Sequence, residues 1–455
     1  MYRELIVIVK PQANFNVSEE LVSPNNSEAN SLLNALSSEG VHIKPLFDAE
    51  QLEQVHSLSL ESEKKLPNLS KYYRVTAPDE QLEELVKQLQ KHSLIEDAYI
   101  KPAAELARLA EVPVTDAPPA TPDFSARQTY LNAAPDGIDA QHAWGFPGGK
   151  GAGIKIIDIE GAWQFSHEDL NVNQGGVIGG TPQPDLGWRN HGTAVLGVIS
   201  GDENTLGITG ISPDATVQGI SAFGQNQSTS NAIVQAANAL SPGDIILLEL
   251  HRPGPRFNFQ SRPDQKGYIA IEWWQDDFDA IRFATARGII VVEAGGNGAE
   301  NLDDEIYNNL FNRNNRDSGT IIVGAGAPPP GTHGRDHGPD RSRLEFSNYG
   351  SVIDAQGWGR EVTTTGYSDL QSGVTEDTWY TDQFSGTSSA SPIIVGTLAC
   401  LQGILKSRGQ ALLTFTRARE ILRNTGSSQQ DAPTRPKTQS IGNRPDLKQL
   451  IDAIN

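Results

Sequence analysis

The sequence predicts an α/β protein: a doubly wound, mostly parallel sheet preceded by a small α+β, ferredoxin-like unit. Three observations carry this. The apolar runs at 154–157, 217–220, 245–250, 289–292 and 321–323 are continuous rather than alternating, as in strands buried on both faces. Segments with helical spacing lie near 191–200, 230–240, 276–287 and 388–405. A Pro- and Ala-rich stretch sets all of this apart from the first hundred residues. The predicted organisation is a leading unit at 1–109, a linker at 110–125 and a main domain at 126–455.

Within the leading unit, 5–9 is a strand and 27–37 has helical spacing. Residues 71–76 alternate as a strand. Asp79 heads a helix to about residue 91, with Leu82, Leu85, Val86 and Leu89 on one stripe, and 95–100 is the last strand. Strand and helix in turn suggest an open-faced sheet with helices on one side. At the other end of the chain, 425–442 is polar and irregular, and 445–454 is a short closing helix.

A chain of 455 residues has room for two domains. Its 36 Lys and Arg against 56 Asp and Glu give a net charge of −20, which argues against nucleic acid or an anionic membrane as partners. The single cysteine, Cys400, lies in an apolar run and suits a small core residue; no internal disulfide can form. The first ten residues hold a short apolar run with Glu4 before it and no small-residue cleavage site after it, unlike a secretory signal. No segment reaches membrane-spanning length. The expected address is cytoplasmic, with a signal-independent export route left open.

Four positions carry chemistry. Asp158 ends a buried strand, where functional side chains of parallel sheets gather, although a strand-end Asp can equally cap a turn. His191, in Asn190-His191-Gly192-Thr193, opens an apolar helix and is by itself a weak signal. Asn297 follows a strand and the turn Gly295-Gly296; its amide can donate to an oxyanion or merely shape a left-handed turn. Ser388, in Gly386-Thr387-Ser388-Ser389-Ala390-Ser391-Pro392, can cap a helix or act as a nucleophile. Together they supply a nucleophile, a base, an orienting carboxylate and an oxyanion donor.

In this order, Ile-Ile-Asp158, His191-Gly-Thr, Gly-Gly-Asn297-Gly and Gly-Thr-Ser388-x-Ala-x-Pro392 resemble the motifs of the subtilisin-like serine peptidases over roughly 126–455. The resemblance implies the subtilisin-like fold and a Ser388, His191 and Asp158 triad with Asn297 as oxyanion donor. It implies polypeptide substrates and no cofactor for catalysis. The leading unit is similar to the family's inhibitory prodomain, an intramolecular partner whose tail crosses the cleft. Counting as the family does puts self-cleavage between Leu109 and Ala110. Cleft-lining positions carried over are Glu249, Leu250, His251, Ala294, Gly295 and Gly296. The segment 247–255, Leu-Leu-Glu-Leu-His-Arg-Pro-Gly-Pro, departs from the family's small, polar stretch and is followed by an insertion to about residue 274. Glu249, His251 and Arg252 there either restrict substrates or belong to a surface loop. Glu160 follows the strand where a small residue is usual, and it sits either beside His191 or in solvent; Glu293 likewise faces the pocket or away.

The loop at 202–213 and Asp169 are similar to a structural Ca²⁺ site of the family, with Asp169, Asn204, Asp202, Leu206 and Ile208 as ligands; a polar turn is the alternative. The cluster Glu300, Asp303, Asp304 and Glu305 suits a solvated loop. Three functional readings follow: a self-inhibited endopeptidase, a peptide-maturation protease or transpeptidase using the same residues, and a prodomain-locked binding protein without turnover.

Overall fold

The computed structural model describes residues 3–13, 15–18, 21–23, 27–38, 40–61, 66–107 and 120–455. The leading unit contains strands β1 (Glu4–Val9), β2 (His42–Pro45), β3 (Tyr72–Thr76) and β4 (Ile95–Lys101), ordered β2-β3-β1-β4 and antiparallel throughout. Helices α1 (Ser27–Ser38) and α3 (Leu82–Gln90) cover one face, and α2 (Ala49–Glu61) adds Val55 to the core on the other. Period-two alternation in β1 divides its side chains. Leu5, Val7 and Val9 pack with Leu32, Leu36, Leu82, Leu85 and Leu89, whereas Ile6 and Ile8 join a core shared with the main domain.

The main domain is built on seven strands: β6 (Lys155–Glu160), β7 (Gln174–Gly179), β8 (Thr216–Ser221), β9 (Ile245–Leu248), β12 (Ile290–Ala294), β13 (Ile321–Gly326) and β14 (Ile353–Trp358). Their order is β14-β13-β12-β9-β6-β8-β7, parallel throughout. Helices cover both faces: α4 (Leu186–Ser200) and α7 (Thr387–Ser407) on one, α5 (Thr229–Ala239) and α6 (Gln275–Ala286) on the other. Ile156, Ile245, Leu247, Ile290 and Val292 face the first pair, and Ile157, Ile246, Leu248, Ile289 and Val291 face the second. This two-sided burial explains the continuous apolar runs. Helix α7 is apolar and long enough to span a membrane, yet it is buried from Thr387 to Leu405 as the central core helix, with Cys400 inside it.

Several boundaries differ from the sequence expectation. The run 245–250 is two strands broken at Glu249. After the break, β10 (Leu250–Pro253) leaves the main sheet and pairs antiparallel with β11 (Tyr268–Ala270). The helix expected to open at His191 begins at Leu186, where Asp185 caps it by accepting from Trp188 N, so His191 sits inside the helix. Strands β2, β7 and β14 and helix α2 were not expected. Gly-rich β7 lacks an apolar run, and β14 buries Asp354 beneath Arg313 and Arg423 at 2.6 Å each. Of the expected linker, 110–119 lies outside the described residues. Phe124 already belongs to the main domain, donating from its N–H to Gly207 O at 2.6 Å.

The leading unit docks through buried charge. Lys101, fully buried, bonds Asp276 and lies 2.8 Å from Asp277, both in the first turn of α6 and fully buried. Tyr99 Oη donates to Asp276 at 2.9 Å, and Tyr72 Oη to Asp279 at 2.5 Å. The two aspartates also favour the positive end of the helix dipole. Beyond Lys101 the chain forms a final strand, β5 (Glu105–Leu106), antiparallel to β10, with Leu106 opposite Leu250 and Glu105 opposite His251.

Candidate active site

Ser388 is the second residue of α7, after Gly386 at φ 107°, a backbone that a side chain would strain. A Cβ on Gly386 would fall 2.2 Å from Ala107 O and 3.2 Å from Asn297 Nδ2, so glycine leaves room for a carbonyl beside that amide. Ser388 Oγ donates to Ala107 O at 3.0 Å. Asn297 follows the turn at the end of β12. Its Oδ1 accepts from Thr387 N at 2.9 Å and Thr387 Oγ1 at 3.0 Å, which turns Nδ2 toward the Gly386 pocket.

His191 is fully buried on α4, with its ring edge-on to Phe384. Its Nδ1 lies 2.9 Å from Glu160 Oε2. The expectation that Asp158 orients the imidazole is therefore corrected to Glu160. Both project from β6 to the same side, two residues apart, but Asp158 Oδ2 accepts from Trp163 Nε1 at 2.7 Å. Burial, joined by the charge of Glu160, pushes the Asp158 carboxyl well above the carboxylate range. Burial also raises Glu160, with the charge of Glu249 adding and a hydrogen bond from Asp158 opposing. Two buried carboxyls so coupled hold a proton between them, and the Asp158 bond favours Glu160 as the charged member.

Glu249 is buried beside the nucleophile, within hydrogen-bonding reach of Ser388 as well as Ser391, rather than in an outer cleft wall. It accepts from Ser391 Oγ, and burial followed by the charge of Asp158 raises its pKa well above the usual range. Leu250 and His251 face the tail as its ladder partners. Burial lowers the His251 pKa to about 3, and its neutral Nδ1 accepts from Asn297 N at 3.3 Å. Arg252 is spent on the tail and α5, donating to Pro102 O and to Thr229 Oγ1 at 2.6 Å. Ala294, Gly295 and Gly296 lie behind Asn297. Gly295 N bonds Val323 O at 2.8 Å, Asn348 donates to Gly295 O at 2.8 Å, and Gly296 N bonds Thr387 Oγ1 at 3.2 Å. Glu293 is buried away from this pocket, accepting from Glu272 N at 3.1 Å. Leu109 and Ala110 lie outside the described residues; the carbonyl at Ser388 belongs to Ala107.

The residues matched to a calcium loop do not fit a cation as they are arranged. Asp169 accepts from Asn204 Nδ2 and Ile208 N, each at 2.6 Å, and Asn204 Oδ1 accepts from Leu206 N at 2.7 Å. Asp202 accepts from Asn171 N at 2.7 Å and Val172 N at 3.1 Å. The side-chain oxygens expected to meet the ion are met by N–H groups. Among the described residues no group of three or more His, Cys, Asp or Glu could hold a metal.

A serine hydroxyl, a carboxylate-paired imidazole and a pinned amide beside a peptide carbonyl can carry out acyl transfer. The fold and this arrangement define a serine hydrolase of the subtilisin type. The Subtilase family model matches residues 89–442, and the chain belongs to that family. It is a subtilisin-like serine protease, acting on polypeptides. Among relatives, thermitase of Thermoactinomyces vulgaris is 27% identical over 306 residues, 64% of this chain and 87% of its own. Subtilisin DY of Bacillus licheniformis is 25% identical over 255 residues, 56% of this chain and 78% of its own. Fervidolysin from Fervidobacterium pennivorans shares the fold at TM-score 0.59 and 17% identity, over 99% of this chain and 60% of fervidolysin. The Epidermin Leader Peptide Processing Serine Protease from Staphylococcus aureus does so at TM-score 0.57 and 16% identity, over 100% and 99%.

Proposed function

We propose that the chain is a serine endopeptidase made as a self-inhibited zymogen, in which Ser388 is the nucleophile, His191 the base and Glu160 its orienting carboxylate. Ser388 Oγ attacks the carbonyl carbon of the acyl residue as His191 Nε2 takes its proton. Glu160 accepts the bond from Nδ1–H and stabilises the imidazolium. Asn297 Nδ2 and the Ser388 backbone N–H hold the oxyanion, a contribution of roughly 100- to 1,000-fold in kcat for the Asn donor. His191 then protonates the leaving amine, and water resolves the acyl-enzyme. The observation carrying this reading is the 3.0 Å contact of Ser388 Oγ with Ala107 O at the end of a tail paired as a strand with 250–253. That contact supports Ala107–Arg108 as the bond for self-processing, with the leading unit as the inhibitor left behind.

Intact-mass analysis and N-terminal sequencing of wild type beside Ser388→Ala test it. The wild type should yield a fragment beginning at Arg108, and the variant should stay one chain. Processing of the variant at the same bond would mean that another protease does the work.

A further inference from the structure

We propose that Gln265 is a positioning residue that ties the oxyanion donor to the backbone of the bound peptide; this rests on Ser388 and Asn297 serving as nucleophile and donor. Gln265 belongs to the segment between β10 and β11, outside every motif that marks the family. Its one amide makes two contacts. Nε2 donates to Leu106 O at 2.7 Å, the carbonyl one residue before the acyl residue, and Oε1 accepts from Asn297 Nδ2 at 3.3 Å.

The consequence follows from counting donors. Asn297 Oδ1 is fixed by Thr387, and one N–H of Nδ2 goes to Gln265, so the amide is held at both ends. The second N–H is left for the oxyanion beside Gly386. A glutamine amide can present either end. A peptide carbonyl at Nε2 requires Oε1 to point the other way, toward Asn297. A peptide carbonyl bound at the preceding residue therefore sets the donor that acts on the next one.

The segment is built to hold this pose. Gln265 has φ 53°, a left-handed backbone disfavoured for a residue with a Cβ. Bonds from Gln265 N to Arg262 O at 3.0 Å and from Tyr268 N to Gln265 O at 3.1 Å maintain it. Gly267 N bonds Gly298 O at 3.0 Å, tying the segment to the residue after Asn297. Gln265 thus reads main chain rather than side chain, and its substrate class is peptides with an intact carbonyl before the acyl residue.

The test pairs two Leu-Ala anilide peptides, one with the ordinary Leu–Ala amide and one with that carbonyl reduced to CH₂, against processed wild type, Gln265→Ala and Gln265→Asn. The Asn variant keeps an amide and tolerates the left-handed backbone but is one methylene too short. Both variants should lose about 10-fold or more in kcat with KM changed less than about 3-fold, while a fluorophosphonate still labels Ser388 fully. The reduced peptide should cost wild type a similar factor and cost the variants nothing further. Equal losses from the reduced carbonyl in all three proteins, or variants impaired in KM alone, would overturn the proposal. If wild type labels at Ser388 but the variants match it in kcat, Gln265 alone is refuted; if wild type neither labels nor turns over peptide, the underlying reading falls with it.

Discussion

Glu160 Oε2 lies 2.9 Å from His191 Nδ1, while Asp158, two residues earlier on the same strand, is bonded to Trp163 instead. Glu160→Gln should lower kcat by about 1,000- to 10,000-fold, because an amide facing Nδ1 favours the wrong imidazole tautomer. Asp158→Asn should cost less than about 10-fold, since Asn can still donate to Glu160 as the protonated acid does. Steady-state kinetics of the two processed variants decide the matter. The opposite ranking would restore Asp158 as the partner.

The source of that ambiguity is physical. Side chains at 158 and 160 share a face by the two-residue period of a strand, so sequence pattern cannot tell which meets the helix above. Gly161, directly after Glu160, packs under the Trp188 ring, where a Cβ would fall 2.3 Å away, and does not distinguish the two carboxylates. Ser388, His191 and Asn297 could be put forward from sequence because each sits in a short contiguous motif. Gln265 was not, since its role depends on β10 and β11 folding it back over Asn297. The fold itself was legible where burial is two-sided. It was lost at β7 and β14, whose glycines and buried Asp354 break the apolar pattern.

Lys101 should be the main lock on the leading unit. Lys101→Met leaves Asp276 buried without its cation and Asp277 with only Arg252, 3.9 Å away, a loss of about 3–5 kcal/mol. Cleaved enzyme carrying this change should escape inhibition by its own leading unit at least about 100-fold more readily, read as activity regained on dilution. Adding Asp276→Asn and Asp277→Asn to Lys101→Met should restore much of the inhibition. A variant as tightly inhibited as wild type would show that the tail alone holds the complex.

Acid sensitivity should draw on His167 as well as on His251, whose buried ring is lowered further. His167 Nε2 donates to Trp379 O at 2.9 Å and its Nδ1 accepts from Asp169 N at 3.2 Å, so the neutral ring is fully bonded. Burial, opposed by that carbonyl, lowers its pKa from 6.5 to about 4. The unfolded chain then binds the extra proton between about pH 6.5 and 4, and stability falls as pH falls through that window. The contribution is about 3 kcal/mol at most. Asp169, raised to about 7 mainly by burial, works in the opposite direction, so the comparison must be between proteins. Melting curves from pH 7 to 4 should show a shallower decline for His167→Gln than for wild type. Parallel curves would remove His167 from the account.

Calcium should not stabilise the chain. A site filled at about 1,000 times its dissociation constant adds about 4 kcal/mol to the folded state. In a domain of this size that raises Tm by roughly 4–6 °C. Yet Asp169, Asp202 and Asn204 already spend their oxygens on N–H groups, and Asn204 turns its NH₂ toward Asp169. To take an ion, the loop would have to break these bonds and turn the amide over. Melting of the Ser388→Ala protein, chosen to prevent self-digestion, should give the same Tm within about 1 °C in EGTA and in millimolar calcium. A calcium-dependent rise of several degrees, abolished by Asp169→Asn, would show that the loop rearranges into a cation cage.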